Sequence, residues 1–205
     1  MLILAADTSL PILSVALTDG AMLIAAVALE GRNSRNEKLL PAVDWILAEQ
    51  GVDRHAIELF AITRGPGSFT GVRIGLATFQ ALALALGRTV CSIPTHEALA
   101  FHGEDLEFSF VYDDAGRGEF YGSAFAPDRS DPARLLTRAE LQSAIAANRS
   151  TSVAAFMADR NVAVRTALRA AAIARADRLS IYRDATPIYV RLAEAEVKLA
   201  QKKDD

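Results

Sequence analysis

Short apolar runs and helical stripes alternate along the first half of the chain. Five runs have the length and apolar composition of strands, at residues 2–6, 12–18, 22–29, 59–63 and 89–93. The dipeptide Asp19-Gly20, between the second and third runs, predicts a two-residue hairpin turn. This order predicts an α/β fold whose mixed sheet contains one hairpin followed by parallel crossovers.

Two longer segments between these strands have helical spacing. An apolar stripe marks the first helix, predicted at residues 37–50: Leu39, Leu40, Val43, Ile46 and Leu47. The second helix is predicted at residues 68–86, with Ser68 as its N-cap and Gly87 as its stop signal. Thr95 is predicted to cap a shorter helix that reaches residue 100.

The second half of the chain repeats the first in reduced form. Residues 108–125 have the order strand, Asp-bearing turn, strand, as residues 3–17 do, and Asp113 matches Asp7. This self-similarity predicts a duplication, with one subdomain at residues 1–103 and a smaller one at 104–205. The remaining pattern predicts two helices and two strands, at residues 137–147, 162–176, 152–156 and 187–191.

Composition narrows the class of protein. Of the 205 residues, 51% are hydrophobic and 23% charged, which is enough apolar material for a folded core. The formal net charge of -3 gives no electrostatic footprint for nucleic acid, so a partner would have to supply a basic surface for RNA. The start lacks the charged region of a signal peptide, and no apolar run is long enough to span a bilayer. We expect a cytoplasmic protein without membrane contact.

A glycine-rich stretch, R-G-P-G-S-F-T-G-V-R-I-G at residues 64–75, opens the second helix. It lacks the lysine of a P-loop, and the third glycine of a dinucleotide loop comes one residue late, at Gly71. Two interpretations stay open. The stretch is either a tight turn that packs the helix on the sheet, or an anion site at the helix N-terminus, aided by Arg64 and Arg73.

Asp7, directly after the first strand, is the strongest candidate for a catalytic carboxylate. It either forms an Asx turn or, as in sugar-kinase-like folds, faces phosphate and metal. The residues that would contact an anion or nucleotide are Asp7, Thr8, Arg64, Gly65, Gly67, Ser68 and Arg73. The three histidines lack metal-site spacing, and Cys91 lies in an apolar strand. We therefore predict no metal site and no nucleophile, and the two interpretations of Asp7 stay open.

The second helix predicts a partner surface because it is apolar on nearly every side. The sheet can cover one face, and a second protein would cover the other, unless the helix is central to a two-layer core. Trp45 falls off the apolar stripe of the first helix and is a candidate hot spot, unless a loop covers it. The predicted interface residues are Leu39, Leu40, Val43, Trp45, Ile46, Leu47, Phe69, Gly71, Val72, Gly75, Leu76 and Phe79.

Several motifs together resemble the TsaB family, also called YeaZ. They are A-A-D-T-S at residues 5–9, L-L-P at 39–41, the glycine-rich stretch at 64–75, D-D-A-G-R-G-E-F-Y at 113–121 and P-I-Y-V-R at 187–191. The matches keep chain order along nearly the full length. The resemblance implies a duplicated actin/hexokinase/Hsp70-like (ribonuclease H-like) fold with mixed sheets, flanking helices and a reduced second half.

The resemblance also implies a function. TsaB is the non-catalytic partner in bacterial synthesis of threonylcarbamoyladenosine at position 37 of tRNAs that read codons starting with A. The resemblance further implies a heterodimer with the catalytic paralogue TsaD, through the first two helices, and a homodimer when the chain is alone. The ATPase TsaE and TsaC (or the longer Sua5) act with them, tRNA is reached only through the complex, and ATP or ADP is a candidate ligand at the TsaD interface.

The chain departs from the family and its paralogue at several places. The positions of the two TsaD metal histidines fall on Thr95 and Leu99, so the resemblance implies a subunit without that metal site. Arg35 replaces a histidine that many family members carry, and residues 150–159 lack an expected glycine turn.

The alternative function is a stand-alone small-molecule phosphotransferase that uses Asp7 and the glycine loop.

Overall fold

The computed structural model describes residues 1–30, 35–101, 109–126, 129–147, 154–155 and 162–190. The strands are β1 (Leu2–Asp7), β2 (Leu13–Asp19), β3 (Met22–Leu29), β4 (Leu59–Thr63), β5 (Thr89–Ile93), β6 (Ser109–Gly116), β7 (Glu119–Ala126), β8 (Arg129–Ser130), β9 (Arg134–Thr137) and β10 (Ala154–Ala155). The helices are α1 (Arg35–Glu49), α2 (Phe69–Ala85), α3 (Thr95–Ala100), α4 (Arg138–Ala147) and α5 (Val162–Arg175).

The first sheet has the strand order β3-β2-β1-β4-β5. β1 pairs antiparallel with β2 and parallel with β4, while β2–β3 is antiparallel and β4–β5 is parallel. The predicted combination of a hairpin with parallel crossovers is therefore confirmed. Because side chains alternate between the faces of a strand, β1 sends Leu4 and Ala6 into one core and Ile3 and Ala5 into another.

Helices cover both faces of this sheet. The side chains of α1 and α2 share the first core with Leu4 and Ala6, and α5 packs on the opposite face against Ile3 and Ala5. A sheet that is buried on both faces needs strands that are apolar throughout, which explains the continuous apolar run of β1 and β4. Although α5 lies beyond residue 103, it packs on the first sheet, so the predicted division separates the strands but not the helices.

The second sheet repeats the topology of the first. Its order is β10-β6-β7-β8, and β9 also pairs with β7. β6–β7 and β7–β9 are antiparallel and β10 is parallel to β6, as β1–β2, β2–β3 and β4–β1 are in the first sheet. α4 precedes β10 as α1 precedes β4. The duplicated α/β fold with a smaller second half is confirmed.

Three details of the sequence prediction are wrong. Asp19 is the last residue of β2 and pairs with Met22, so the hairpin turn lies one residue later, with Gly20 at φ +55. Thr95 is the first residue of α3 rather than its cap, because its hydroxyl lies 2.9 Å from the Ser9 hydroxyl instead of bonding a helix N–H.

The third wrong detail is the final predicted strand, because residues 187–190 belong to neither sheet. The Ile188 N–H instead donates to the Arg64 carbonyl oxygen at 2.8 Å. Of the strand predicted at residues 152–156, only Ala154–Ala155 lies within the described part, and residue 191 lies outside it.

Candidate functional site

The glycines of the 64–75 stretch make room for the chain's own backbone. A Cβ on Gly67 (φ +151) would overlap the Ser9 carbonyl, and one on Gly65 (φ +95) would lie 2.8 Å from the Ile188 carbonyl oxygen. A Cβ on Gly75 would collide with the Thr8 hydroxyl. The close approach predicted for a partner is thus made by the chain itself, which corrects the interface prediction for Gly75.

Backbone donors at the start of α2 are also engaged within the chain. The Ser68 N–H donates to the Ser9 carbonyl at 2.7 Å, and the Gly71 N–H donates to the Ser68 hydroxyl at 3.2 Å. Ser68 is therefore the N-cap, as predicted. The Thr8 hydroxyl donates to the Gly71 carbonyl at 2.7 Å. These contacts support the interpretation of the stretch as a packing turn.

Asp7 is fully buried, and the chain's own donors occupy both carboxylate oxygens. Oδ1 accepts hydrogen bonds from the Ser9 N–H, the Ser9 hydroxyl and the Thr63 hydroxyl, and Oδ2 accepts one from the Leu10 N–H. Burial raises the pKa of Asp7, while the hydrogen bonds from Ser9 and Thr63 lower it. The arrangement is the Asx turn that the sequence left open, and it gives a substrate no access to the carboxylate.

Arg64 is one of the two cations of the candidate anion site, and it contacts the segment at residues 183–190. Its Nη1 donates to the Thr186 carbonyl at 3.3 Å and lies 3.6 Å from an Asp184 carboxylate oxygen. Arg64 is therefore engaged by groups of the chain itself, as Asp7 and Thr8 are.

Asp113, the counterpart of Asp7, lies within β6 opposite Tyr121. Burial raises the pKa of Asp113 to about 6, and the charges of Asp114 and Asp7 contribute in the same direction. Because an unfolded aspartate loses its proton near pH 4, the folded state binds more protons between pH 4 and 6. The stabilisation from protonated Asp113 is present below pH 4 and is lost as pH rises through 6.

We expect Asp113→Asn to remove this pH dependence. The unfolding free energy of the wild-type protein, relative to the variant, should fall by about 1–2 kcal/mol between pH 4 and pH 7, after allowance for solvent screening. Urea unfolding of both proteins at the two pH values measures this difference. If the difference in unfolding free energy between the two proteins does not change with pH, the raised pKa of Asp113 is contradicted.

A cavity of about 360 Å³ lies between the two halves of the molecule. The Glu97 carboxylate in its wall accepts hydrogen bonds from Arg169 at 2.8 Å and from the Tyr182 hydroxyl at 2.6 Å. His96 Nδ1 lies 2.7 Å from the Ser123 hydroxyl, and burial lowers the pKa of His96 to about 3, so this imidazole is neutral. The polar groups bind one another and join α3, α5 and β7.

Metal and nucleophile chemistry gains no support from the described residues. Within them, no group of three or more His, Cys, Asp or Glu side chains could hold a metal ion. Thr95 and Leu99, at the TsaD histidine positions, are fully buried in α3. Burial raises the pKa of Cys91 to about 12, which keeps it a protonated core thiol.

Most of the predicted interface residues lie in the core of the chain itself. These are Leu39, Val43, Ile46, Leu47, Gly71, Val72, Gly75, Leu76 and Phe79. The bulky side chains of α1 and α2 face the first sheet, so the prediction that they contact a partner directly is wrong for them. A partner can reach Leu40, Trp45 and part of Phe69.

The outward side of α1 and α2 nonetheless exposes a group of apolar side chains, with the exposed Asp44 among them on α1. Trp45 is 52% exposed, off the buried stripe as predicted, and Leu84 is 83% exposed. We define the outer face as the exposed residues Leu40, Pro41, Trp45 and Ala48 of α1 with Ala77, Ala81 and Leu84 of α2. The sequence reasoning missed the α2 members. The sequence does carry a signal for them, because Ala77, Ala81 and Leu84 recur at helical spacing on the side opposite Val72, Leu76 and Phe79.

No helix in the described ranges has both the length and the apolar character needed to cross a membrane.

Comparisons with known proteins point in one direction. Residues 31–130 match the family described as "TsaD: tRNA N6-adenosine threonylcarbamoyltransferase". The chain is 32% identical over 123 residues to the tRNA threonylcarbamoyladenosine biosynthesis protein TsaB of Bacillus subtilis, covering 59% of this chain and 53% of that protein. It is 34% identical over 135 residues to TsaB of Escherichia coli, covering 63% and 57%. The chain spans about half the length of the curated relatives it matches.

A solved structure supports the fold over nearly the whole chain. YeaZ from Pseudomonas aeruginosa superposes with a TM-score of 0.67 at 23% identity, covering 92% of this chain and 99% of that one. The structural agreement therefore covers a larger share of the chain than the sequence matches do.

Proposed function

We propose, from the similarity of this chain to TsaB and YeaZ proteins, that it belongs to that family and is a non-catalytic subunit in the synthesis of tRNA threonylcarbamoyladenosine. The relatives are named as biosynthesis proteins of this modification. On this proposal the chain works in the cytoplasm on adenosine 37 of tRNAs that read codons starting with A.

The partner that we propose is TsaD, bound through the outer face of α1 and α2. The observation that carries this proposal is the exposure of the large apolar residues Leu40, Trp45 and Leu84 on helices whose opposite sides pack in the first core. Exposed tryptophan on a flat apolar surface is typical of protein interfaces. The same face would serve a homodimer when TsaD is absent.

The catalytic steps are assigned to other proteins. TsaC or Sua5 would supply the activated threonylcarbamoyl group, TsaD would transfer it, and TsaE would hydrolyse ATP. The net charge of -3 favours contact with tRNA through the complex rather than by this chain alone. We assign the chain no cofactor of its own, and ATP or ADP would bind, if at all, where it meets TsaD.

The alternative, a stand-alone phosphotransferase, gains no support from the geometry. Its carboxylate, Asp7, is buried under four hydrogen bonds from Ser9, Leu10 and Thr63. Its loop packs against residues 8–9 and 188 instead of leaving a cradle for phosphate.

One reconstitution separates the two functions. Product formation on tRNA is measured with the cognate TsaC, TsaD and TsaE, with and without this chain, and ATP turnover by the isolated chain is measured in parallel. We expect modified tRNA only when the chain is present, and no ATP turnover by the chain alone. Full activity without the chain, or turnover abolished by Asp7→Asn, would contradict the proposal.

A further inference from the structure

Arg73 lies against two aromatic rings that also contact each other at the start of α2. Its guanidinium carbon lies 3.8 Å from the ring centroid of Phe69 and 5.5 Å from that of Tyr189. Its Nε donates a hydrogen bond to the Tyr189 hydroxyl at 2.7 Å, and the two rings lie 4.6 Å apart. We refer to Phe69, Arg73 and Tyr189 as the arginine clamp.

The clamp joins parts of the chain that are distant in sequence. Tyr189 is brought to α2 by the segment at residues 183–190, which contacts the glycine-rich stretch through the hydrogen bond from the Ile188 N–H to the Arg64 carbonyl. Asp184, at the start of that segment, accepts a hydrogen bond from the Ser92 hydroxyl through its carbonyl oxygen. The orientation of Arg73 is therefore set by the fold before any partner arrives.

The charge of Arg73 is not neutralised within the described part of the chain. Arg73 is exposed and forms no ion pair there. Within the same part of the chain, the hydrogen bond that it donates uses Nε. It is also the single charged residue of α2. A guanidinium with its terminal nitrogens available is suited to bind a carboxylate through two parallel hydrogen bonds.

Arg73 also continues the outer face toward the start of α2. Residues 73, 77, 81 and 84 recur at helical spacing and are all exposed. The alanines leave a flat strip on which another helix can lie close. An isolated cation beside such a strip fits one acidic side chain of a protein, whereas a nucleic-acid backbone would require several cations along the face.

We propose that the arginine clamp receives a carboxylate of the partner protein at one end of the outer face, with Tyr189 as a positioning residue. This inference rests on the proposed function and adds a specific polar anchor to an apolar interface. Because the rings already restrict Arg73, less side-chain entropy is lost when the partner binds.

Calorimetric titration of the intact chain with cognate TsaD, at low and high salt, tests the clamp. We expect Arg73→Met to weaken binding at least about tenfold and to flatten its salt dependence. Arg73→Lys should recover only part of the affinity, and Tyr189→Phe, which removes only the hydroxyl, should weaken binding about threefold. Arg178→Met, which removes an equal charge just after the end of α5, on the opposite face of the sheet, should bind as the wild type does.

The outcomes separate the clamp from the proposed function. If TsaD binds the wild type and Arg73→Met equally, with the same salt dependence, the clamp is overturned and the proposed function stands. If the wild type does not bind TsaD, both are overturned. An effect of Arg73→Met confined to homodimer formation or to tRNA binding would also overturn the clamp as a site for a TsaD carboxylate.

Discussion

Replacing Leu76 by alanine is expected to lower the free energy of unfolding by about 2–5 kcal/mol. Leu76 is 3% exposed and belongs to the core that α1 and α2 form with the first sheet. Truncation would remove buried methyl groups and leave a cavity in that tightly packed region. The same substitution at Leu84, also on α2 but 83% exposed, should change stability by only about 0.5 kcal/mol.

This pair of leucines isolates the direction in which α2 faces. Both variants make the same chemical change in the same helix, so propensity and unfolded-state effects cancel closely between them. Urea unfolding followed by circular dichroism gives both free energies. Equal destabilisation by the two substitutions would show that the orientation of α2 is wrong. The large effect at Leu76 also means that a charge placed there would test folding and not partner binding.

The second large effect is expected on partner binding. Leu84→Glu should weaken the affinity for cognate TsaD by at least about 30-fold, because a carboxylate inside an apolar contact must be desolvated when the partner binds. Trp45→Ala should cost a similar factor through the loss of a large aromatic contact. Both residues are exposed, so the thermal stability of the free chain should be nearly unchanged.

The matched control for this prediction is Met22→Glu. Met22 is 64% exposed at the start of β3 and lies outside the outer face, so it adds the same charge to another apolar surface position. Co-migration with TsaD in size-exclusion chromatography, followed by calorimetry, gives the affinities. Equal weakening by Met22→Glu and Leu84→Glu would indicate a nonspecific effect of charge.

The sequence predicted the elements of the first half well because their signals are local. Ser68 caps α2 as its position before an apolar helix indicated, and Trp45 is exposed as its angle on the helical wheel required. The error on α2 lies in which of its apolar residues are assigned to the partner. Val72, Leu76 and Phe79 were assigned to a partner, yet bulky side chains gain most from burial in the chain's own core. The alanines gain little and lie outside.

The glycine stretch could not be resolved from sequence because its partners are distant in the chain. Whether Gly67 serves a phosphate, or Gly75 a partner, depends on what lies opposite each glycine, and residues 8–9 of the chain itself lie there. The same holds for Asp7, because the hydrogen bond that it accepts from Thr63 joins β1 to β4, which are distant in the sequence. Tyr189 was missed because an apolar run near a terminus looks like a strand, and only the fold brings it to Arg73.

The central claim is that TsaD covers the outer face, and Trp45 reports on it directly. The chain has one tryptophan, so 5-fluorotryptophan introduced into this chain alone gives a single ¹⁹F resonance. On titration with unlabelled TsaD, we predict that this resonance shifts and that the change saturates at one TsaD per chain, as the half-exposed ring becomes buried. A complex that co-migrates while the Trp45 resonance stays at its free position would contradict the claim.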